Sequence, residues 1–201
     1  MLRVGLTGGI GSGKTFVGRA LEDLGGHLIQ ADELGHQVLQ PGGEAYAPVL
    51  AEFGASILAG GGEIDRRALA ALVFDSPERL QRLNALIHPA VMRLEEERIA
   101  ALARTDPDSI AIVEAAILIE TGSYKRFDKL IVVICQPEQQ IERAVKRGGM
   151  TREEAESRIR RQLSNEEKMS VADYVIDTSG SKERTLEEAK SVFESLRSAM
   201  G

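Results

Sequence analysis

The sequence predicts an α/β fold: a five-stranded parallel sheet with helices on both faces. Three observations predict it. Short β-rich apolar runs recur at Leu2–Thr7, His27–Gln30, Ile110–Val113, Lys129–Cys135 and Tyr174–Ile176. Longer segments with helical spacing separate them, and strands that alternate with helices pair in parallel. The first run passes directly into Gly8-Gly9-Ile10-Gly11-Ser12-Gly13-Lys14-Thr15, with helical spacing from there to Leu24.

That octapeptide fits G-x-x-x-x-G-K-[ST], the phosphate-binding loop (P-loop). Glycines let successive backbone N–H groups point inward, and with the helix N-terminus they form an anion site. The expected nucleotide contacts are Gly9, Gly11, Ser12, Gly13, Lys14, Thr15 and the following Phe16. Lys14 places a cation on the β- and γ-phosphates of a nucleotide, and the Thr15 hydroxyl ligates Mg²⁺. The expected architecture is therefore the P-loop NTPase three-layer fold.

The remaining elements follow in order. Gly25-Gly26 stops the first helix. The second strand, His27–Gln30, runs into Ala31-Asp32, which sets a carboxylate at the ligand edge of the sheet. Asp32 suits a base for an attacking hydroxyl, and it equally suits the N-cap of a helix starting near Glu33. Residues 33–107 contain no convincing strand. Helical runs occupy Glu44–Phe53, Arg66–Phe74, Pro77–Ile87 and Ala90–Arg104. Ser76-Pro77 reads as an N-cap followed by proline in the first turn, and Pro89 is expected to end its helix near Ile87. The third strand ends at Glu114, a Walker-B-like carboxylate for Mg²⁺ in which Glu stands for the usual Asp. Pro137 opens a helix that Gly148-Gly149 closes, and Thr151-Arg152-Glu153-Glu154 has capping-box spacing. Arg143 and Arg147 share one face of that helix. The stretch 137–169 reads either as a solvated charged surface or as a mobile lid that brings arginines to phosphates. A last amphipathic helix covers about 183–200.

Composition bounds the reading. A chain of 201 residues with 43% hydrophobic content has room for one core and an inserted subdomain. A net charge of −6 argues against broad nucleic-acid binding. No apolar run approaches the ~20 residues a membrane span needs. The single cysteine, Cys135, permits no intrachain disulfide, and no secretory leader is evident, so a cytoplasmic protein is expected. No Asn-Lys-x-Asp guanine-reading segment occurs, and the chain is short for a mechanochemical ATPase.

Taken together, the residues resemble the dephospho-CoA kinase family over nearly the whole length. The matching elements are Leu6–Thr15, Ala31-Asp32, Phe53-Gly54, Ile64–Leu69, Val73-Phe74 and Leu83-Asn84-Ala85-Leu86-Ile87-His88-Pro89. Downstream are Ile117-Leu118-Ile119-Glu120, Arg143 with Arg147, Gln162, and Ala172-Asp173-Tyr174-Val175-Ile176-Asp177. The resemblance implies transfer of the ATP γ-phosphoryl to the ribose 3′-hydroxyl of dephospho-CoA, giving CoA and ADP. It implies a nucleotide core at 1–32 and 107–201, a helical substrate insertion at 33–106 and a lid at about 137–169. Asp32 matches the acid that activates the hydroxyl. Arg143 and Arg147 match lid positions, where guanidinium forks bind phosphate oxygens. His88 matches a substrate-domain segment, where it either touches substrate or fixes the turn at Pro89. The chain departs from the family at Phe16, Gln30, Ala115-Ala116 and Gly148. Two rivals stay open: a nucleoside-monophosphate-type kinase and a regulatory P-loop ATPase. Nothing in the sequence sets the oligomeric state.

Overall fold

The computed structural model describes residues 1–74 and 76–200. Strands β1 (Leu2–Gly8), β2 (His27–Gln30), β3 (Ile110–Glu114), β4 (Lys129–Ile134) and β5 (Tyr174–Asp177) form one sheet in the order β2-β3-β1-β4-β5. β1 pairs in parallel with β3 and β4, and β4 pairs in parallel with β5. The register sets Leu6 beside Glu114 on one side and Ile131 on the other. A Cβ at Gly5 would lie 2.9–3.1 Å from side-chain atoms of Phe127, Leu118 and Leu130, so any larger residue would force those side chains to shift.

The helices are α1 (Lys14–Asp23), α2 (Ala31–Val38), α3 (Tyr46–Phe53), α4 (Arg66–Phe74), α5 (Pro77–Thr105), α6 (Pro137–Lys146), α7 (Arg152–Arg160), α8 (Asn165–Met169) and α9 (Lys182–Ser198). The chain divides into two compact units, one of Met1–Ile29 with Ala101–Gly201 and one of Gln30–Ala100.

In the first unit both faces of the central strands β1, β3 and β4 are largely buried. Val4, Leu6, Ile112, Ile131 and Val133 pack with Val17 and Leu21 of α1 and with Phe193 and Leu196 of α9. The alternate residues Leu130 and Val132 turn the other way and pack with Leu118. Period-two alternation with apolar residues on both sides is what a helix-covered parallel sheet requires. Each such side chain contributes about 1.5–3 kcal/mol on burial. The ending that carries part of the resemblance has structural duties. Asp173 accepts the Leu130 N–H at 2.8 Å and pairs with Lys129 at 3.0 Å, so it docks β5 on β4. Asp177 Oδ1 accepts the Ser179 N–H at 2.8 Å.

The second unit is helical, as its composition predicts, with a lone antiparallel bridge between Leu58 and Ile64. The N-cap at Ser76 is present: its Oγ accepts the Arg79 N–H at 3.3 Å. The expected break at Pro89 is not. α5 runs continuously through it. Leu83 and Ala90, on either side of the proline, are buried in one cluster with Val49, Ile57 and Leu69, and Leu86, Ile87, Val91 and Leu94 pack against it. That shared burial offsets the lost helical hydrogen bond and ring clash, which cost about 3 kcal/mol in an isolated helix. Ala85 and Pro89 both lie on the exposed side of the helix. His88 therefore fixes no turn; it is a half-buried residue inside a helix.

Burial holds the His88 imidazole below its ordinary value of about 6.5. The folded chain favours the neutral ring, so His88 costs nothing above about pH 6.5 and destabilises progressively as pH falls below it. Denaturant midpoints compared between pH 7.5 and 5.5 are expected to fall less in His88→Gln than in the parent. Equal pH dependence in the two proteins would contradict this.

Among the described residues, no helix is long and apolar enough to cross a membrane.

Candidate active site

The phosphate loop leaves β1 at Gly8 and enters α1 at Lys14. Its turn depends on left-handed glycines. Gly13 has φ 90° and serves as the N-cap, with no side chain capping the helix. Gly11 has φ 68°, and a Cβ there would strike the backbone carbonyl of Gln140. An α-helix that starts without a side-chain cap presents its first N–H groups to an anion. The Ser12 N–H closes the turn on Gly9 O at 3.2 Å. Lys14 arches back over the loop, with Nζ donating to Gly8 O at 2.8 Å and to Gly9 O at 3.0 Å.

A cleft of about 310 Å³ opens at this loop, lined by Gly11, Gly13, Lys14, Thr15, Arg143 and Arg147 among others. Most of the residues expected to meet ATP are thus brought together. Ser12 is fully buried within the loop, and its Oγ has no hydrogen-bond partner among the described residues. Phe16 stands exposed on α1 and does not line the cleft. Gly9 lines a second cleft, described below.

Thr15 and Glu114 lie together. Thr15 Oγ1 donates to Glu114 Oε1 at 2.8 Å, and Glu114 is the last residue of β3, largely buried. Among the described residues no group of three or more His, Cys, Asp or Glu side chains could hold a metal. One hydroxyl beside one carboxylate nevertheless fits Mg²⁺, which keeps several waters and takes substrate phosphates as ligands.

The two arginines differ. Arg147 is the exposed C-cap of α6. Arg143 donates from Nη1 to Thr178 Oγ1 and from Nη2 to Thr178 O, both at 2.8 Å, and from Nη1 to Cys135 Sγ at 3.2 Å. Thr178 in turn donates to Ser12 O at 2.7 Å, and its side chain packs on Gly13. Arg143 therefore braces the base of the loop through Thr178 while it lines the cleft. Thr178 gave no sign in the sequence, since a threonine after a strand has no motif of its own.

The capping box at Thr151 and Glu154 is formed, and Ser164 with Glu167 forms a second one that starts α8. α6 and α7 pack through Ile141, Ala144 and Ala155, with Ile10 of the loop against them.

Asp32 does not cap a helix. β2 meets α2 with no intervening loop, Gln30 takes the N-cap position, and Asp32 lies exposed in the first turn. A carboxylate there is favourable to the helix dipole by about 0.3–1 kcal/mol. The side chain is left uncommitted to capping.

Comparison with known proteins agrees with this geometry. The family model described as "Dephospho-CoA kinase" matches residues 2–184. A dephospho-CoA kinase of Aquifex aeolicus is 43% identical over 98% of both chains. Among solved structures, a Thermus thermophilus protein, TT1252, superposes with a TM-score of 0.81 at 34% identity, covering 96% of each chain. The dephospho-CoA kinase from Campylobacter jejuni gives 0.73 at 25% identity, covering 98% of each. A P-loop core, its Lys14, Thr15 and Glu114 in place, and a family match across nearly the whole length lead to one conclusion: the chain belongs to the dephospho-CoA kinase family.

Proposed function

We propose that the protein transfers the γ-phosphoryl group of ATP to the ribose 3′-hydroxyl of dephospho-CoA, releasing CoA and ADP in the last step of CoA synthesis. Family membership supports the acceptor. The observation that carries the donor half is the contact of Thr15 with Glu114 beside Lys14, at the mouth of a loop whose helix no side chain caps.

Phosphoryl transfer is mostly positioning and charge neutralisation. Lys14 supplies a cation at the β- and γ-phosphates. Thr15 and Glu114 would hold Mg²⁺, directly or through water, and the ion would supply positive charge to offset that of the phosphates. Arg147 adds a guanidinium from the end of α6, and Arg143 keeps the loop in shape from the cleft wall. Asp32 accepts the proton of the 3′-hydroxyl. His88 is assigned to the dephospho-CoA side on resemblance. Closure of residues 137–169 excludes water, which would otherwise take the phosphoryl group. This reading takes the enzyme to be cytoplasmic and independent of nucleic acid and membrane.

Coupled measurement of ADP release, with dephospho-CoA present and absent, tests the reading. Release is expected only with dephospho-CoA and Mg²⁺, with CoA formed in equal amount. Full-rate release without an acceptor would favour a regulatory ATPase, and preference for a nucleoside monophosphate would favour another kinase.

A further inference from the structure

Gln162 lies two residues beyond α7 in sequence, yet it reaches the phosphate loop: its Oε1 accepts the Ile10 N–H at 2.9 Å. The far side of that peptide unit matters more. The Gly9–Ile10 peptide is planar and trans, so its N–H and its C=O point in opposite directions. Holding the Ile10 N–H on Gln162 therefore aims the Gly9 carbonyl. That carbonyl accepts both Lys14 Nζ, at 3.0 Å, and the Ser12 N–H, at 3.2 Å. A glycine peptide reorients at little steric cost, so the plane needs an external hold.

Gln162 is itself held. The Leu163 N–H donates to Glu120 Oε1 at 3.4 Å, and Leu163 O accepts Lys168 Nζ at 2.7 Å. Lys168 and Glu120 pair at 3.4 Å, with the lysine side chain 2% exposed. The buried ammonium would be costly to leave unpaired, so its contacts with Leu163 O and Glu120 hold the Leu163 backbone in place. Both backbone polar groups of Leu163 are thereby engaged. Ser164, with its capping box, fixes the next residue. On the loop side, a Cβ on Gly9 would come within 2.9 Å of Gln140 Nε2 and 3.4 Å of Gln162 Oε1, so the two glutamines press directly on that glycine. These residues line a cleft of about 320 Å³ that includes Gly9, while Ile10 lines the Lys14 cleft.

We infer that Gln162 is a positioning residue for phosphoryl transfer. It sets the Gly9–Ile10 peptide so that the Gly9 carbonyl holds Lys14 in register for ATP, and the Glu120–Lys168 pair keeps Gln162 in place. This rests on the proposed use of Lys14 in binding ATP.

The test uses Gln162→Leu, similar in size but without an acceptor, and Gln162→Glu, which keeps one. In Gln162→Leu, the Ile10 amide of the nucleotide-free protein is expected to exchange with deuterium at least severalfold faster. In Gln162→Glu its exchange stays near the parent rate. The kcat/KM for ATP in Gln162→Leu is expected to fall about tenfold, the size of one net hydrogen bond, with KM for dephospho-CoA unchanged. Unaltered Ile10 exchange, a defect confined to the dephospho-CoA KM, or a lowered melting temperature with ATP kinetics intact would each overturn the inference. If the parent enzyme itself shows no dephospho-CoA-dependent ADP release, the proposed function fails, while the exchange arm still reads the hold on Ile10.

Discussion

Asp32→Asn is expected to lose about 10²–10⁴ in kcat with dephospho-CoA, the range for removing a general base, while ATP binding is retained. Asn preserves size and polarity but cannot take the hydroxyl proton. The position makes the experiment clean. Asp32 is exposed in the first turn of α2 and is not the N-cap, so the substitution removes only a favourable interaction with the helix dipole. That interaction is worth no more than about 1 kcal/mol, too little to unfold the unit and be mistaken for a catalytic loss. Steady-state turnover, ATP titration by calorimetry and a thermal melt distinguish the outcomes. Unchanged turnover would remove Asp32 from the chemistry.

Lys14→Ala is expected to lower kcat/KM for ATP by about 10²–10³, corresponding to roughly 3–4 kcal/mol of lost charge stabilisation. Here ATP binding weakens together with turnover, unlike in Asp32→Asn. The ammonium also ties Gly8 O and Gly9 O together. Its loss therefore removes both the cation and a restraint on the loop. Lys14→Arg is not expected to restore activity, since a planar guanidinium cannot place a compact charge between the same two carbonyls. Parent-like kcat/KM in Lys14→Ala would contradict the assignment of the loop to a triphosphate.

Much of this site is legible along the chain because its chemistry is local. Gly11, Gly13, Lys14 and Thr15 work within one turn of backbone, and spacing alone fixes their relation. The strands were legible for a similar reason: β-branched runs such as Ile131–Ile134 suit a strand buried on both faces. Local rules stop being sufficient where a tertiary competitor meets them. Pro89 reads as a helix end, but burial of Leu83 and Ala90 in one cluster carries α5 through it. Asp32 suits both a base and a cap along the chain, and the direct junction of β2 and α2 gives the cap to Gln30. Arg143 reads as a lid arginine that meets phosphate; it lines the cleft beside Lys14, and its guanidinium also holds Thr178, 35 residues away, which no local rule shows.

By itself, then, the sequence determined the α/β class, the phosphate loop and the carboxylates that follow the strands, and by resemblance the family. These depend on periodicity and spacing, which a linear chain displays. The tertiary structure decided which side chains steady the loop: Thr178 under Ser12, Gln162 on Ile10, and the Glu120–Lys168 pair behind Leu163. The physical reason is that a hydrogen bond between residues up to 166 positions apart is set by where the sheet and helices bring the backbone. No short stretch of residues carries that information.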